Sequence, residues 1–282
     1  MKLTRLLVLA ALLFALFGLL AACSDSGGGG GGDGAATDDD TADDDSADDD
    51  AVDDDAVDDD AADDDATTGG YALGFDGASG YVESANALTP APTTAFTAEG
   101  YFWFRDRDYT NGVMLLDDSM WNGAALVGGF WLWLDAANGL QYQVMTTGSS
   151  APVIMSVPFL NLSLQTWHHV ALTFGSTICL YLDGVSQACA TPGLTYLPSS
   201  AHLFLGRADQ GPPSFFQGAM DALRISQVAR YEADFTPPTV YAPDVNTVAV
   251  WLFDEGAGTV ANDATGNGNV LNLNGGVAWI ER

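Results

Sequence analysis

Apolar and polar positions divide the chain into three stretches of different character. Residues 6–22 are apolar or Gly throughout, and residues 24–70 contain hardly any large apolar side chain. From residue 71 to residue 282, short apolar runs alternate with Gly, Asn, Asp and Pro, and no helical period persists. Short runs bounded by turn residues are typical of strands. The pattern therefore predicts an apolar helix, a polar linker and an all-β domain.

The apolar runs of the third stretch give the approximate strand positions. They predict strands at 71–75, 79–84, 95–105, 112–117, 124–134, 140–146, 152–157, 166–175, 177–182, 185–190, 201–206, 217–226, 247–254 and 270–280. Many short strands at near-even spacing are typical of stacked antiparallel sheets. The predicted fold is therefore all-β, a two-sheet antiparallel jelly-roll sandwich, preceded by a signal helix and a disordered acidic linker.

The N-terminal stretch has the layout of a secretory signal. Two basic residues precede the apolar run, and small side chains stand just before Cys23. An uncleaved membrane anchor is the alternative, since the run is near the lower limit for crossing a bilayer. Residues 20–23, Leu-Ala-Ala-Cys, resemble the bacterial lipobox. That resemblance implies a signal peptide over residues 1–22, lipid attachment at Cys23 and a lipid-anchored place in the bacterial cell envelope, with Ser24 indicating the outer membrane or cell surface.

Residues 23–70 are predicted to form a stretched, disordered tether. Asp triads recur there every five residues, and 20 of the 38 acidic residues of the chain lie between Asp25 and Asp65. Such a segment has too little apolar area to fold, and its like charges extend it. Calcium binding by the triads is the alternative, but their period lacks the ligand spacing of a calcium loop. A net charge of −30 disfavours nucleic acid and anionic lipid surfaces as partners.

Cys179 and Cys189 flank a predicted hairpin whose turn contains Asp183-Gly184. A two-residue turn would pair position 179 with position 188, whereas a three-residue loop would pair it with position 189. A disulfide between the two cysteines therefore predicts a bulged or three-residue turn. Two buried thiols are the alternative for this exported pair.

Four passages in order resemble the laminin-G-like, concanavalin A-like lectin/glucanase domains. They are FDG at 75–77 with YV at 81–82; FTAE at 96–99; WHHVALTF at 167–174 followed by LYLDG at 180–184; and LGR at 205–207 followed by FQGAMDALRI at 216–225. The resemblance covers residues 71 to about 230 and implies the jelly-roll fold.

The C-terminal stretch resembles a segment that usually opens such domains. Residues 250–259, VWLFDEGAGT, look like the opening strand and its loop, but here they come last. We therefore expect residues 247–282 to close the sandwich of a single domain over residues 71–282. A truncated second module is the alternative.

The acidic residues and histidines do not form a recognisable catalytic set. Glycosidases of this fold need a close carboxylate pair, which on a strand requires spacing of two or four residues on one face. Asp254 and Glu255 are adjacent, and Glu232 and Asp234 fall in a predicted loop. The pair at 168–169 has no third histidine nearby, so structural roles are favoured. We therefore predict that the protein is not an enzyme.

Calcium is the candidate cofactor. The resemblance to jelly-roll glucanases implies one structural calcium ion, with Asp221 and Asp254 as the metal ligands. The alternative, that these positions hold no ion, stays equally open. Residues 263–269 are rich in oxygen atoms and Gly, but a plain glycine-rich turn is favoured there.

Trp131, Trp133 and Tyr142 are the candidate ligand-binding residues. The two tryptophans alternate with core-type residues in FWLWL, and Tyr142 lies on the next predicted strand. Exposed aromatic side chains on one face would stack on sugar rings or on a peptide. Burial of all three residues in the core is the alternative.

Together these features predict a surface-anchored, non-catalytic recognition module that binds carbohydrate or an extracellular protein. It would touch the membrane through its lipid anchor only and would bind no nucleic acid. The alternatives are a structural envelope or adhesion component without sugar binding, and a glucanase-like glycoside hydrolase. Fold resemblance alone does not decide between them.

Overall fold

The computed structural model describes residues 70–105, 112–135, 137, 139–158, 161–191, 193–209 and 214–282. The predicted signal segment, Cys23 and nearly all of the predicted tether lie outside these residues. The described part consists of strands and loops in two antiparallel sheets that pack face to face. The predicted all-β, two-sheet jelly-roll sandwich is therefore confirmed. Within the described residues, no helix is both long and apolar enough to cross a bilayer.

The strands follow one another in short steps along the described chain. They are β1 Tyr71–Asp76, β2 Tyr81–Ala87, β3 Phe96–Phe104, β4 Val113–Asp117, β5 Met120–Trp121, β6 Leu126–Gly128, β7 Phe130–Asp135, β8 Gly139–Val144, β9 Val153–Val157, β10 Trp167–Phe174, β11 Ile178–Leu182, β12 Val185–Ala190, β13 His202–Leu205, β14 Gln217–Ser226, β15 Thr247–Trp251, β16 Val260–Ala261, β17 Leu271–Asn274 and β18 Val277–Glu281.

Two large sheets contain all of these strands except β5 and β6, which form a small hairpin. Sheet A has the order β12-β11-β10-β3-β14-β1-β18, and β15 also pairs with β14. Sheet B has the order β16-β17-β2-β13-β4-β7-β8-β9. Strands β15, β17 and β18 pair with β14, β2 and β1, so residues 247–282 contribute to both sheets.

The core lies between the sheets because alternate residues of each strand point inward. On β10, Val170, Leu172 and Phe174 belong to the core. Phe96 of sheet A stacks on Phe130 of sheet B, with ring centroids 4.3 Å apart. Burial of one such side chain stabilises the fold by roughly 1.5–3 kcal/mol, so this layer of large apolar residues holds the sandwich together.

The predicted strands correspond closely to the observed ones, except that the two-residue strands β5 and β16 were not predicted. Two of the predicted runs are each divided into two strands. The run 124–134 is divided into β6 and β7 at Gly129, which has a φ of 89°. A Cβ at this position would collide with the Asp118 carbonyl oxygen, so the break requires Gly. The run 270–280 is the hairpin of β17 and β18, which turns at residues 275–276.

The Cys179–Cys189 disulfide is present, as the sequence predicted. The turn has two residues, Asp183 and Gly184, with φ angles of 51° and 77°, as a type I′ turn requires. A bulge in β12 then shifts the register, so that position 179 pairs with position 189. The bulged hairpin is therefore confirmed, whereas the three-residue loop is not found.

A second bulge, in β14, determines which side chains of this strand point to the outer face of sheet A. The register against β3 shifts between Asp221 and Arg224, and Ala222 has a φ of 45°. Side chains three residues apart on a regular strand point to opposite faces. Because of the extra residue, Asp221 and Arg224 both lie on the outer face of sheet A, while Leu223 stays in the core.

Residues 227–246 form a segment, here called the strap, that covers part of this outer face. Phe235 N donates a hydrogen bond to the Gly184 carbonyl oxygen, and the Tyr101 hydroxyl donates to the Pro238 carbonyl oxygen. At the base of the strap, Arg230 donates two hydrogen bonds to the Asp244 carboxylate, at 2.8 and 2.9 Å. Among the described residues, the strap therefore covers the part of the outer face of sheet A around Gly184 and Tyr101 and leaves the rest of that face uncovered.

Candidate functional site

The predicted aromatic site on sheet B is largely closed. Trp131 and Trp133 point away from the core, since their cross-strand neighbours on β8 are Gln143 and Gln141. Trp131 is only 7% exposed. Trp133 is half-buried, and its indole N–H donates to Asp135 Oδ2 at 3.0 Å. The two tryptophans therefore share a face, as predicted, but Trp131 offers little surface to a ligand.

Tyr142 does not belong to that face. It lies directly opposite Leu132 on β7, is fully buried, and packs edge-on against Phe96 in the core. The placement of Tyr142 beside the tryptophans is therefore wrong. The physical reason is register: a shift of one residue moves a side chain to the opposite face of a strand.

Among the described residues, a partly exposed aromatic surface lies instead on the part of sheet A that the strap does not cover. Trp103 of β3 lies directly opposite Trp167 of β10, and both are half-buried. On the other side of Trp103, the successive cross-strand partners are Ala219 on β14, Gly74 on β1 and Ala278 on β18. Together with Trp167 and Trp103 they form one row across the sheet. Large aromatic rings thus stand beside a floor of very small residues.

A shallow groove of about 400 Å³ is lined by the Trp103 ring and by the small residues Gly74, Gly218, Gly276 and Ala278. Trp167 lies beside this groove, across from Trp103. Arg105 and Asp76 lie at one margin, and Ile280 lies at the other. The Asp76 carboxylate accepts hydrogen bonds from the backbone N–H groups of residues 78, 79 and 80, and these bonds lower its pKa. Asp76 therefore shapes the loop that bounds the groove.

The indole N–H groups of Trp103 and Trp167 donate to no acceptor among the described residues. Half-buried tryptophans that offer both a ring face and an unused donor are suited to ligands that are apolar on one side and hydroxylated on the other. The groove therefore has the chemistry of a small-molecule recognition surface.

Arg282 lies beside this groove, over the outer face of sheet A. Its guanidinium carbon is 4.9 Å from the centroid of the Trp167 ring and 5.3 Å from that of the Tyr101 ring. Its Nη1 donates to Asp221 Oδ2. Burial, helped by the negative charge of nearby Asp254, raises the pKa of Asp221 to about 7, because the loss of water outweighs the opposing charge of Arg282.

Asp221 and Asp254 as arranged do not fit a calcium ion. Calcium takes six to eight oxygen ligands, whereas the Asp221 carboxylate is bound by a guanidinium and Asp254 is exposed. The positive charge of Arg282 opposes a second cation in contact with the same oxygen atoms. Within the described part of the chain, no three His, Cys, Asp or Glu side chains gather as metal ligands.

The covered half of sheet A contains a polar cluster that is closed to solvent. Glu99 is paired with Arg224 at 2.7 Å, and the Tyr231 hydroxyl donates to Glu99 at 2.7 Å. His169 Nε2 lies 2.8 Å from the Tyr241 hydroxyl and 3.3 Å from Glu99. Burial favours a protonated Glu99, but the His169 hydrogen bond and the Arg224 charge lower its pKa overall. With Glu99 1% exposed, the cluster has no space for a substrate.

His168 also has a structural environment. Its Nδ1 lies 2.7 Å from Asp183 Oδ2, and its Nε2 lies 2.9 Å from the Ser163 hydroxyl. The Asp183 hydrogen bond raises the pKa of His168 despite its burial. The imidazole therefore joins the β11–β12 turn to β10.

Sequence reasoning missed Trp103 and did not identify Trp167 as a site residue. In the sequence FWF, Phe102 and Phe104 lie in the core. Trp103, between them, therefore points to the other face of β3. This alternation was a usable signal for an outward Trp103. Its pairing with Trp167 depends on the register of two strands far apart in sequence, which no local pattern specifies.

Comparison with known proteins agrees with this architecture. A family model, Laminin_G_3, described as the concanavalin A-like lectin/glucanases superfamily, matches residues 76–234, more than half of the chain. No curated protein matches the chain.

Among solved structures, a protein of Bacteroides ovatus ATCC 8483, named as a candidate carbohydrate binding protein, is similar at 18% identity and a TM-score of 0.56. The match covers 75% of this chain and 59% of that one. Domains LG4-5 of the mouse laminin alpha1 chain match at 15% identity and a TM-score of 0.45, over 62% and 47% of the two chains. A Trypanosoma rangeli sialidase mutant matches at 17% identity and a TM-score of 0.36, over 49% and 21%. The first match shows a shared fold, and the other two support no further conclusion.

Proposed function

Because the chain belongs to the concanavalin A-like lectin/glucanases superfamily, we propose that it is a non-catalytic recognition module that binds carbohydrate in the groove of sheet A. The observation that carries this proposal is the Trp103–Trp167 pair, half-buried and directly opposed beside a floor of small residues. A sugar ring has an apolar face that stacks on indole and hydroxyl groups that accept from an indole N–H.

The floor of the groove supports this proposal. Gly74 and Ala278 line the groove without bulky side chains of their own, although the Ile280 side chain packs against Gly74. A flat ring is therefore able to approach the sheet while one of its faces contacts the aromatic wall. The similar fold of the Bacteroides ovatus protein, which is named for carbohydrate binding, is in keeping with this function.

The surroundings of the acidic residues favour binding without turnover. A glycosidase needs one carboxylate as an acid and another as a nucleophile or base. Near the groove, Asp76 is engaged with backbone N–H groups and Asp221 with Arg282. Glu99 is sealed beneath the strap. In the described structure, each of these three carboxylates is therefore paired with groups of the protein itself.

We further propose that the module acts at the bacterial cell envelope, with lipid at Cys23 and an extended acidic tether over residues 23–70. This part of the proposal comes from the sequence, from the resemblance of residues 20–23 to a lipobox and from the Asp repeats. A tether of like charges would keep the domain away from an anionic membrane surface.

A glycan array tests the function directly. The full chain is compared with the variants Trp103→Ala and Trp167→Ala, and Trp121→Ala serves as the control because Trp121 is 47% exposed and lies on the separate β5–β6 hairpin. We expect either groove variant to reduce binding by about tenfold or more, the scale of one stacked aromatic ring, while the control binds as wild type. Binding that survives both groove variants would contradict the site, and hydrolysis of a bound glycan would contradict the non-catalytic role.

A further inference from the structure

Arg282, Trp167, Tyr101 and Asp221 form an arrangement that is chemically specific for a cation. The guanidinium of Arg282 lies over the rings of Trp167 and Tyr101 and forms an ion pair with the Asp221 carboxylate. The Asp221 side chain is 4% exposed, and that of Arg282 is 13% exposed. Aromatic faces and a poorly hydrated carboxylate attract cations. We call the space bounded by Trp167, Tyr101 and Asp221 the cation cage.

Within the described structure, the chain itself supplies the cation that fills this cage. Residue 282 follows β18, and its backbone N–H donates to the Gly70 carbonyl oxygen at 3.3 Å. The guanidinium reaches the cage through a long, flexible side chain, so it can leave without disturbing a strand. An external cationic group would then meet the same two rings and the same carboxylate.

The charge around the cage favours a cationic ligand over an anionic one. Besides burial, Asp254 raises the pKa of Asp221 and Glu255 raises that of Asp254, so Asp254 interacts with both of the other carboxylates. The positive charge of Arg282 lowers the pKa of both Asp221 and Asp254. Residues 71–282 contain 18 acidic residues against six arginines, and the whole chain has a net charge of −30. Such a field concentrates cations and repels anionic polysaccharides.

The cage lies next to the groove. Asp221 is directly opposite Tyr101, and Trp103 and Trp167 form the neighbouring row on the same face. Neighbouring strands are about 5 Å apart. A charged substituent on a ring stacked at Trp103 is therefore within reach of the Asp221 carboxylate.

We propose that the cation cage binds the ammonium group of an amino sugar by displacing Arg282, so that the ligand of the groove is a glycan with free amines. This inference rests on the proposed function, since it names the ligand class of the same groove. A basic side chain of a protein would satisfy the cage, but it would leave the small-residue floor and the Trp103 face unused. The groove and the cage together fit a ring that carries a cation.

Isothermal titration calorimetry of the full chain tests the inference with two matched probes, a glucosamine hexamer and an N-acetylglucosamine hexamer, at about 0.15 M salt. We expect the charged hexamer to bind at least about tenfold more tightly, the scale of one charge-assisted hydrogen bond. Asp221→Asn is expected to abolish this preference. Arg282→Gln is expected to strengthen binding of the charged hexamer, because it removes the internal competitor. Circular dichroism checks that both variants remain folded.

Glu281→Gln is the control for net charge, since it removes one exposed carboxylate next to Arg282 but outside the cage. If it weakens binding as much as Asp221→Asn, the attraction is nonspecific and the inference is wrong. If the neutral hexamer binds equally well through Trp103, the proposed function stands and the cation cage is wrong. If neither hexamer binds but other sugars do, the amino-sugar inference alone falls. A lysine-rich peptide that binds more tightly through Asp221 than the charged hexamer would assign the cage to a protein partner and overturn the inference.

Discussion

Glu99 and Arg224 form a buried ion pair, 2.7 Å apart, because the bulge in β14 places Arg224 on the same face of sheet A as Glu99, its cross-strand neighbour on β3. The Glu99 side chain is fully buried and that of Arg224 is 9% exposed. The strap supplies Tyr231, whose hydroxyl donates to the same carboxylate. The pair therefore connects two strands of sheet A to the segment that covers them.

The first prediction concerns this ion pair. Glu99→Gln leaves the Arg224 guanidinium buried without an opposite charge, so we expect a loss of about 3–5 kcal/mol in the free energy of unfolding. Urea unfolding measures the loss. Glu83→Gln is the control, because its partner His202 has a side chain 45% exposed and such pairs contribute at most about 1 kcal/mol. Equal losses in the two variants would show that Glu99 is not a structural charge.

The second prediction concerns the pH dependence of stability. Burial raises the pKa of Asp221 to about 7 in the folded protein, above its usual value of 3.8. The folded state therefore holds this proton more tightly than the unfolded state. The resulting stabilisation is complete below about pH 4 and is lost as the pH rises through 7. The effect is roughly 4 kcal/mol at most.

Asp221→Asn removes this titration. We therefore expect the stability of the variant relative to wild type to rise as the pH increases from about 4 to about 7 and to level off above that, measured as the difference between their unfolding free energies. Other carboxylates are common to both proteins, so their contributions cancel. A difference that stays constant with pH would contradict the raised pKa.

The third prediction concerns the Cys179–Cys189 disulfide. The two cysteines are ten residues apart in sequence, so the closed loop is short. We expect the double variant Cys179→Ala, Cys189→Ala to lose about 2–3 kcal/mol of stability. Denaturant unfolding of the double variant should match that of the reduced wild type. A reductant that further destabilises the double variant would show that the effect is not due to this bond.

The fourth prediction concerns attachment to the membrane. If Cys23 carries lipid, Cys23→Ser should abolish incorporation of a labelled fatty acid when the full precursor is expressed in bacteria, and the protein should leave the membrane fraction. Several acyl chains hold a protein firmly, whereas none leaves it free. Ser24→Ala is the control, since it should keep the label. Retained label in Cys23→Ser would place the modification elsewhere.

Local patterns predicted most of the fold because the alternation within a strand is a property of neighbouring residues. The motifs around Trp167 and Asp221 and the Asp183-Gly184 turn were sufficient for the family and for the disulfide hairpin. The two bulges were harder: the one in β12 followed from requiring Cys179 to meet Cys189, whereas no residue pattern indicated the one at Ala222.

The candidate site was predicted less well because it depends on the register between distant strands. Tyr142 was placed beside Trp131, but the pairing of β7 with β8 sets Tyr142 against Leu132. Trp103 meets Trp167 only after β3 has paired with β10. Packing of the whole core determines which distant strands pair and in which register. The pattern within either strand alone therefore does not predict this pairing.

The bulge in β12 also affects whether copies of the protein can associate through the edge of sheet A. Strand β12 is at one border of sheet A, and an unpaired border invites another chain to add a strand and begin an aggregate. The extra residue interrupts the regular spacing of donors and acceptors, and the Cys179–Cys189 bond prevents the strand from sliding into a regular register. Even at high local concentration of the protein, this edge strand should therefore not promote aggregation.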